Sequence, residues 1–531
     1  MKLFKWAYIG KLMVGLLLAL QIMALVALFV WGIEALGDLD EGKLINYLLL
    51  GVFILDVIVE VAIIARDTPD SYKIVWMFFV FVLPIVGIFL YLFLGNTTTK
   101  RKRRKAIEKY ALPVQANPSN ENTLALMNRA YPKATGISAY LEATSRGGTF
   151  GSTSTRYFPL VDDAFPVIIE ELKKANHYIY LEFFIVGHGK FLDGILDVLR
   201  DKASHGVDVR LIYDDVGSLS TAPDNFVKEL NKWGIKVGKF NPFRPFLDVN
   251  LNNRDHRKIM IIDGHTAFSG GFNLADEYIN AEVRFGHWKD NAILIKGKAV
   301  EDLTYLFLST WYSNFEREGL PKTQEEVDAL HQLYSSSRYI GEVGGYPESD
   351  GFVASYGDLP YLPEAVGERV YLSLLERAEK YCYIATPYFI IDAEVKNALL
   401  AAATRGVDVR ILMPHIPDKA AVFHLSRSHY GPLLEKGVKI YEYTPGFVHE
   451  KVFIVDDYLA TVGTINLDYR SLFLHLECGT YLVGCSCINT MKEDYLKTLE
   501  VSEEISYERW NKWRIRNRTY WSTLKLLSPM L

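Results

Sequence analysis

Hydrophobic positions are spread unevenly along the chain. Three apolar runs, at residues 12–33, 44–65 and 74–94, fill its first hundred positions, and each has the roughly 20 residues a helix needs to cross a bilayer's hydrocarbon layer. From about residue 150 the pattern changes. Amphipathic helical stretches there alternate with short runs rich in β-branched residues, which predicts α/β units around a buried sheet. Within those units the chain repeats itself. Gly206-Val-Asp-Val-Arg210 recurs as Gly406-Val-Asp-Val-Arg410, 200 residues further on, and Trp233-Gly-Ile-Lys-Val237 matches Lys436-Gly-Val-Lys-Ile440. A single helix-to-strand turn motif is common, whereas several matches kept in register indicate a duplicated domain. The expected organisation is a membrane segment at 1–105, a linker at 106–145, and α/β domains at 146–340 and 341–531. The first copy carries about a dozen extra residues between Phe243 and Asp255.

Charge sets the expected topology of the first segment. Lys2, Lys5 and Lys11 precede the first run, Lys100-Arg-Lys-Arg-Arg-Lys105 follows the third, and the loop between the first two is acidic (Glu34, Asp38, Asp40, Glu41). Basic flanks stay in the cytoplasm, so both ends belong inside and the number of crossings is even. Leu83-Pro84-Ile-Val-Gly87 interrupts the third run, which is therefore expected to be re-entrant or interfacial beside two crossings, with everything after Lys100 cytoplasmic. The first run is longer than a signal-peptide core and has no small-x-small cleavage site, so it reads as a retained anchor. Asp56 and Glu60 lie four apart on one helical face, expected to turn to protein rather than lipid.

Composition narrows the chemistry. Half of the 531 residues are hydrophobic and the formal net charge is -5, which argues against a dedicated nucleic-acid binder. The four cysteines (Cys382, Cys478, Cys485, Cys487) are too few and too clustered for a disulfide framework, and Cys485-Ser-Cys487 lacks a second ligand pair, so all read as buried free thiols. No glycine-rich phosphate loop is present, and no cofactor is expected.

The candidate chemistry sits in the third match of the repeat. His256-Arg-Lys258 leads through an apolar run to Asp263 and then to Gly270-Gly-Phe-Asn273, and His449-Glu-Lys451 leads in the same spacing to Asp456 and Gly463-Thr-Ile-Asn466. In extended chain, positions i and i+2 share a face, so each His projects beside its Lys. Two such sets around one point would give two imidazoles, two ammonium groups and two amides. A phosphodiester needs that combination, because negative charge grows on its oxygens as the five-coordinate transition state forms, and Lys258, Lys451, Asn273 and Asn466 can donate to them. With lysines supplying positive charge, no metal is required. One histidine would attack phosphorus and the other would protonate the leaving alkoxide and deprotonate the acceptor. Each imidazole calls for a carboxylate partner, for which Asp290 and Glu477 stand as candidates. Asp263 and Asp456 belong to the motif and are counted with the catalytic set, although bracing the strand is their expected part. His265, His287 and His475 are taken as surface or packing residues.

Paired HxKxxxxD motifs with trailing GxxN are the signature of the phospholipase D superfamily. The hydrophobic start with Leu83-Pro84-Ile-Val-Gly87 and Leu92-Phe-Leu-Gly95, the run Asn466-Leu-Asp-Tyr-Arg-Ser471 and the end Leu527-Ser-Pro-Met-Leu531 resemble those of bacterial cardiolipin synthases. The resemblance implies two tandem phospholipase D-like domains with mixed sheets flanked by helices, preceded by a helical membrane segment. It further implies conversion of two phosphatidylglycerols to cardiolipin and glycerol through a phosphatidyl-histidine, with hydrolysis of phospholipid or nucleic acid as the alternative. By the same resemblance His256 is the nucleophile and His449 the acid/base, with Glu477 orienting His256 and Asp290 orienting His449 across the repeats. The chain departs from the family pattern at Tyr388-Phe-Ile-Ile391 and at Gly271, where Ser is common. Arg509 to Trp521 mixes cations with aromatics, which suits an interfacial helix or a helix packed through its tryptophans on the second repeat.

Overall fold

The computed structural model describes residues 39–66, 68, 70–95, 109, 112–243, 252–362 and 364–530, which fall into two compact units. The apolar run at 12–33 and the basic run at 100–105 lie outside the described residues. One unit is helical: α1 (Leu39–Ile64), α2 (Asp70–Val82) and α3 (Pro84–Leu94). Pro84 takes the first position of α3, where its missing N–H costs nothing, and Leu83 leaves helical geometry at φ −129°, ψ 67°. The third apolar run is therefore two helices of 13 and 11 residues, about 20 and 17 Å long, each too short for a layer of about 30 Å. They fold back on each other. Trp76 and Tyr91 meet at 5.4 Å between ring centroids, and Gly87 packs on the backbone of Phe79 and Val80, where a Cβ would collide.

Among the described residues no helix is long and apolar enough to cross a membrane. On α1, Val52, Asp56, Val59, Glu60 and Ile63 form the sheltered face, so the acidic pair does turn inward. The unit also exposes large apolar side chains, Phe53, Ile58 and Val61 on α1, Ile74 and Phe81 on α2 and Phe89 on α3. Apolar exposure on this scale marks contact with lipid or protein.

The other unit carries two mixed sheets. The first repeat contributes β1 (Thr153–Phe158), β2 (Tyr178–Phe183), β3 (Asp208–Asp214), β4 (Lys236–Phe240), β5 (Ile259–Ile262), β6 (Thr266–Gly270), β7 (His287–Lys289) and β8 (Ala292–Gly297). The second contributes β9 (Phe352–Asp358), β10 (Tyr381–Ala385), β11 (Asp408–Pro414), β12 (Lys439–Tyr443), β13 (Gly446–Val448), β14 (Val452–Val455), β15 (Leu459–Gly463), β16 (Glu477–Val483) and β17 (Ser502–Glu504). The sheet orders are β1-β8-β6-β5-β2-β3-β4 and β9-β16-β15-β14-β10-β11-β12-β17. Apart from the added edge strand β17 they are the same sheet written twice, parallel across β2-β3-β4 and β10-β11-β12 and antiparallel elsewhere. The repeated Gly-Val-Asp-Val-Arg segments enter β3 and β11 after helices Lys190–Ser204 and Ala393–Thr404.

One continuous apolar core joins the repeats. Helix Val300–Asn314 is buried along Val300, Leu303, Leu306, Phe307 and Trp311, and its counterpart Cys487–Glu500 along Ile488, Met491 and Tyr495. These residues share a cluster with Ile259 and Ile261 of β5 and Val452 and Ile454 of β14. Burial of this extent, at about 25 cal/mol per Å² of apolar surface, holds the two sheets as one body. The stretch read as a linker folds as well: Glu121–Ala130 and Pro132–Thr144 are helices whose Met127, Ile137 and Leu141 enter the core of the second repeat.

Candidate active site

Each His-x-Lys triplet lies in extended chain immediately before its strand, β5 or β14, rather than within it. Alternation then sorts the side chains. His256 and Lys258 project one way, and Arg257 between them turns into the core, bonded to Asp255 Oδ1 at 3.0 Å, Glu182 Oε1 at 2.5 Å and Thr310 Oγ1 at 2.8 Å. In the second copy the inward residue is Glu450, which accepts from Tyr157 at 3.2 Å and lies 3.4 Å from Lys289 Nζ. These buried, compensated charges anchor both triplets, since removing one partner of such a pair costs about 3–5 kcal/mol.

The two triplets are exchanged between repeats. His256 N–H donates to Leu476 C=O at 2.9 Å and Leu476 N–H to Arg254 C=O at 2.8 Å, so the chain before the first histidine runs beside the chain before Glu477. Correspondingly, β13, before the second histidine, pairs in parallel with β7, before Asp290, and His449 N–H donates to Lys289 C=O at 2.7 Å. The carboxylates are thereby delivered across the dyad. His256 Nδ1 lies 2.9 and 3.0 Å from the two oxygens of Glu477, and His449 Nδ1 lies 2.7 Å from Asp290 Oδ2. All eight groups, His256, Lys258, Asn273, Asp290, His449, Lys451, Asn466 and Glu477, are buried in this one unit.

Burial and like charge dominate the electrostatics. Burial pushes Lys258 down to about 7, with Glu477 pulling it back up, and Lys451 down to about 8 against Asp290. His449 is lowered to about 4 by burial and then by Lys451, and His256 falls well below its ordinary value through burial and the charges of Lys258, Lys451 and His449. Both imidazoles are thus neutral in the free protein at pH 7. Each lysine also donates to its neighbouring histidine's carbonyl oxygen, Lys258 to His256 and Lys451 to His449. A bound phosphodiester anion reverses the balance, favouring charged lysines. The expected pH–rate behaviour follows: kcat/KM, which reports the free enzyme, falls as pH rises through about 7 to 8, and the alkaline limb of kcat lies at higher pH. Initial rates across pH at low and saturating lipid check both limbs.

The remaining motif residues divide. Asn273 Oδ1 accepts from Ile185 N–H at 3.0 Å while its Nδ2 donates to Tyr278 at 2.6 Å, and Asn466 Nδ2 donates to Ser471 at 3.0 Å. Each amide keeps a second N–H for a phosphate oxygen. Asp263 and Asp456, grouped with the catalytic set by motif, sit at the far ends of β5 and β14, roughly 16 Å of extended chain beyond the lysines. Asp263 accepts from the backbone of Asn176, His177 and Tyr178 at 2.7–2.9 Å, and Asp456 from Glu379, Lys380 and Tyr381 at 2.7–2.8 Å. They brace the starts of β2 and β10, at the strand ends away from the histidines. Asp263→Ala is expected to cost about 3 kcal/mol or more, since hydrogen bonds to a charged group are lost with three amides left unpaired, and a lowered unfolding temperature would register it.

His475, read from sequence as packing, belongs to this site. Its ring is 5.6 Å from that of His256 and its Nδ1 is 3.7 Å from Glu477 Oε1. The available signal was its place two residues before Glu477, on the same face of extended chain. The dyad-related position, two before Asp290, holds Trp288, 5.5 Å from His449. His265 and His287 stay outside, bonded to Thr266 at 3.0 Å and Tyr443 at 2.9 Å. The departure at Gly271 has a steric reason: a side chain there would meet Asp290 and the His449 carbonyl, whereas the matching Thr464 donates to Glu477. Tyr388, at the other departure, donates to Asp418 at 2.5 Å and accepts from Lys419 at 3.0 Å. Among the described residues His256, His475 and Glu477 bring three metal-type donor atoms within 4.8 Å of one another. Arg470 Nε at 3.4 Å from His475 Nε2 and the nearby lysines make the spot a poor one for a cation. The four cysteines are buried and free.

Two copies of one mixed sheet, each presenting an imidazole–ammonium pair oriented by a carboxylate of the other copy, define a phospholipase D-type phosphodiester site. The family model described as "Cardiolipin synthase, PLD-like domain" matches residues 168–311 and 371–495, and one described as "Phospholipase_D-nuclease N-terminal" matches 48–96. A cardiolipin synthase of Alkalihalophilus pseudofirmus is 36% identical over 90% of this chain and 93% of its own, and cardiolipin synthase 2 of Bacillus anthracis is 36% identical over 88% of each. An uncharacterised protein of Streptococcus mutans is 37% identical over 89% of this chain and 99% of its own. The chain belongs to the cardiolipin synthase family of phospholipase D-like proteins. A crystal structure of phosphatidylserine synthase from Haemophilus influenzae shares the fold over 75% of this chain and all of that one, with a TM-score of 0.53 and 16% identity.

Proposed function

We propose that this protein is a membrane-associated phosphatidyltransferase that joins two phosphatidylglycerol molecules into cardiolipin and releases glycerol. The observation that carries the chemistry is the crossed pairing of His256 with Glu477 and His449 with Asp290. In each imidazole Nδ1–H donates to the carboxylate; Nε2 of His256 keeps its lone pair, while the anionic substrate favours a second proton, taken up from water, on Nε2 of His449. Nε2 of His256 attacks phosphorus, the N–P bond forms as the bond to the glycerol oxygen breaks, and His449 gives that oxygen its proton. In the second half, His449 takes the proton of the acceptor's hydroxyl, the new O–P bond forms, and the N–P electrons return to His256. Lys258, Lys451 and the free N–H of each asparagine hold the phosphoryl oxygens. The assignment of roles is supported by the surroundings. His449 has Tyr278, Trp288 and Phe447 at 5.4, 5.5 and 5.9 Å, and aromatic rings within about 6 Å favour a cation there once substrate is bound.

The family and its named relatives point to lipid as substrate, and the apolar surface of the helical unit suits a lipid environment. One phosphodiester is exchanged for another, so the reaction needs no nucleotide. Detergent-solubilised full-length protein incubated with phosphatidylglycerol is expected to yield cardiolipin and equimolar glycerol by thin-layer chromatography. Phosphatidic acid as the main product would make the protein a hydrolase, and unchanged lipid would end the reading.

A further inference from the structure

The two half-sites are alike in their histidines but unlike in what surrounds the carboxylates. Glu477 accepts hydrogen bonds from two side chains and faces a third N–H. Beyond His256 Nδ1, it receives the hydroxyl of Thr464 on Oε2, and His475 Nδ1 faces Oε1 from 3.7 Å, just past hydrogen-bond length. Arg470 Nε points at His475 Nε2 from 3.4 Å, so Nε2 is the acceptor and Nδ1 carries the proton toward Glu477. Among the described residues that Nδ1 has nothing nearer than Glu477 to donate to, and the side chain is only 10% exposed. Asp290 is held differently: besides His449 it accepts only the backbone N–H of its neighbour Asn291 at 2.9 Å among the described residues, with Gly271 in place of Thr464 and Trp288 in place of His475.

We infer that His475 is a positioning residue that, together with Thr464, keeps the Nδ1 proton on His256 while His256 carries the phosphatidyl group. The inference rests on the covalent mechanism proposed above. When Nε2 bonds to phosphorus, the ring becomes a phosphoryl-imidazolium, and its lability depends on remaining cationic. If Nδ1–H passed to Glu477, the ring would be neutral, its nitrogen a far poorer leaving group, and the intermediate would persist. Donors on Glu477 occupy the oxygen lone pairs that would otherwise take that proton. His475 and Thr464 therefore act on the second half-reaction, the departure of His256 from phosphorus. His449 needs no such device, because it must take up and give back a proton rather than hold one.

The test compares His475→Phe with His475→Asn in the full-length enzyme, using phosphatidylglycerol labelled in the phosphate and acid-free quenching. In His475→Phe the second step should slow by about 10–100-fold, the worth of one hydrogen bond to a charged group. Label should then accumulate on His256, and kcat and KM should fall together, because a slow second step lowers both. Asn can still donate to Glu477 and should restore most of the rate. In variants whose unfolding temperature matches that of the wild type, a fall in kcat without label on the protein, a rise in KM, or Asn no better than Phe would overturn the inference. Absence of label on any histidine in His449→Ala given a labelled nitrophenyl phosphodiester, which needs no proton donor, would instead overturn the covalent mechanism itself.

Discussion

His256→Ala is expected to abolish cardiolipin formation, with a rate loss on the order of 10⁵-fold or more, the scale on which a nucleophile acting within a catalytic unit is felt. The cavity left by the imidazole keeps Lys258, Lys451 and both asparagines, so lipid still binds and KM changes little. What disappears is the Nε2 lone pair that the proposed mechanism directs at phosphorus, in a ring held through Nδ1 by Glu477. His449→Ala should fail differently. It loses the proton donor, so a phosphodiester with a nitrophenolate leaving group, which needs no proton, should still load His256 and leave a labelled protein. Rapid quench with labelled substrate separates the two variants. Label on His449 in a His256→Ala enzyme would reverse the assignment.

Glu477→Gln carries the second-largest expected effect, on the order of 10⁴-fold in kcat, as when an orienting carboxylate of a histidine is made an amide. Gln keeps the shape, but its amide can present N–H to Nδ1, which drives the imidazole proton to Nε2 and removes the attacking lone pair. Asp290→Asn should weaken the acid/base histidine instead. The nitrophenyl substrate should therefore rescue loading in Asp290→Asn and leave Glu477→Gln inactive. Steady-state rates on the two substrates, with each variant's unfolding temperature measured alongside, decide the matter; equal rescue of both would contradict the crossed roles.

Much of this was legible before any fold was known. The recurrence of Gly-Val-Asp-Val-Arg before β3 and β11 announced a duplicated α/β unit because a short local pattern dictates a helix end, a turn with positive φ at Gly206 and Gly406, and a buried strand. The break at Leu83-Pro84 was equally local: proline's ring and absent N–H act on their own turn of helix. Conversely, the stretch at 106–145 has no core of its own, and its helices pack because Met127, Ile137 and Leu141 find a core made elsewhere.

What the chain determined by itself was therefore whatever depends on near neighbours: strands, the His-x-Lys alternation, the glycine turns and the inventory of charged groups. Tertiary structure decided which carboxylate meets which imidazole, that Asp263 and Asp456 spend their oxygens on backbone amides, and that His475 rather than His265 or His287 stands beside His256. The physical reason is range. Alternation and turn geometry act over a few residues, whereas the 2.9 Å contact between His256 and Glu477 spans 221 positions and exists only because a buried core, formed by both repeats at once, sets β7 beside β13 and Asp255 beside Leu476.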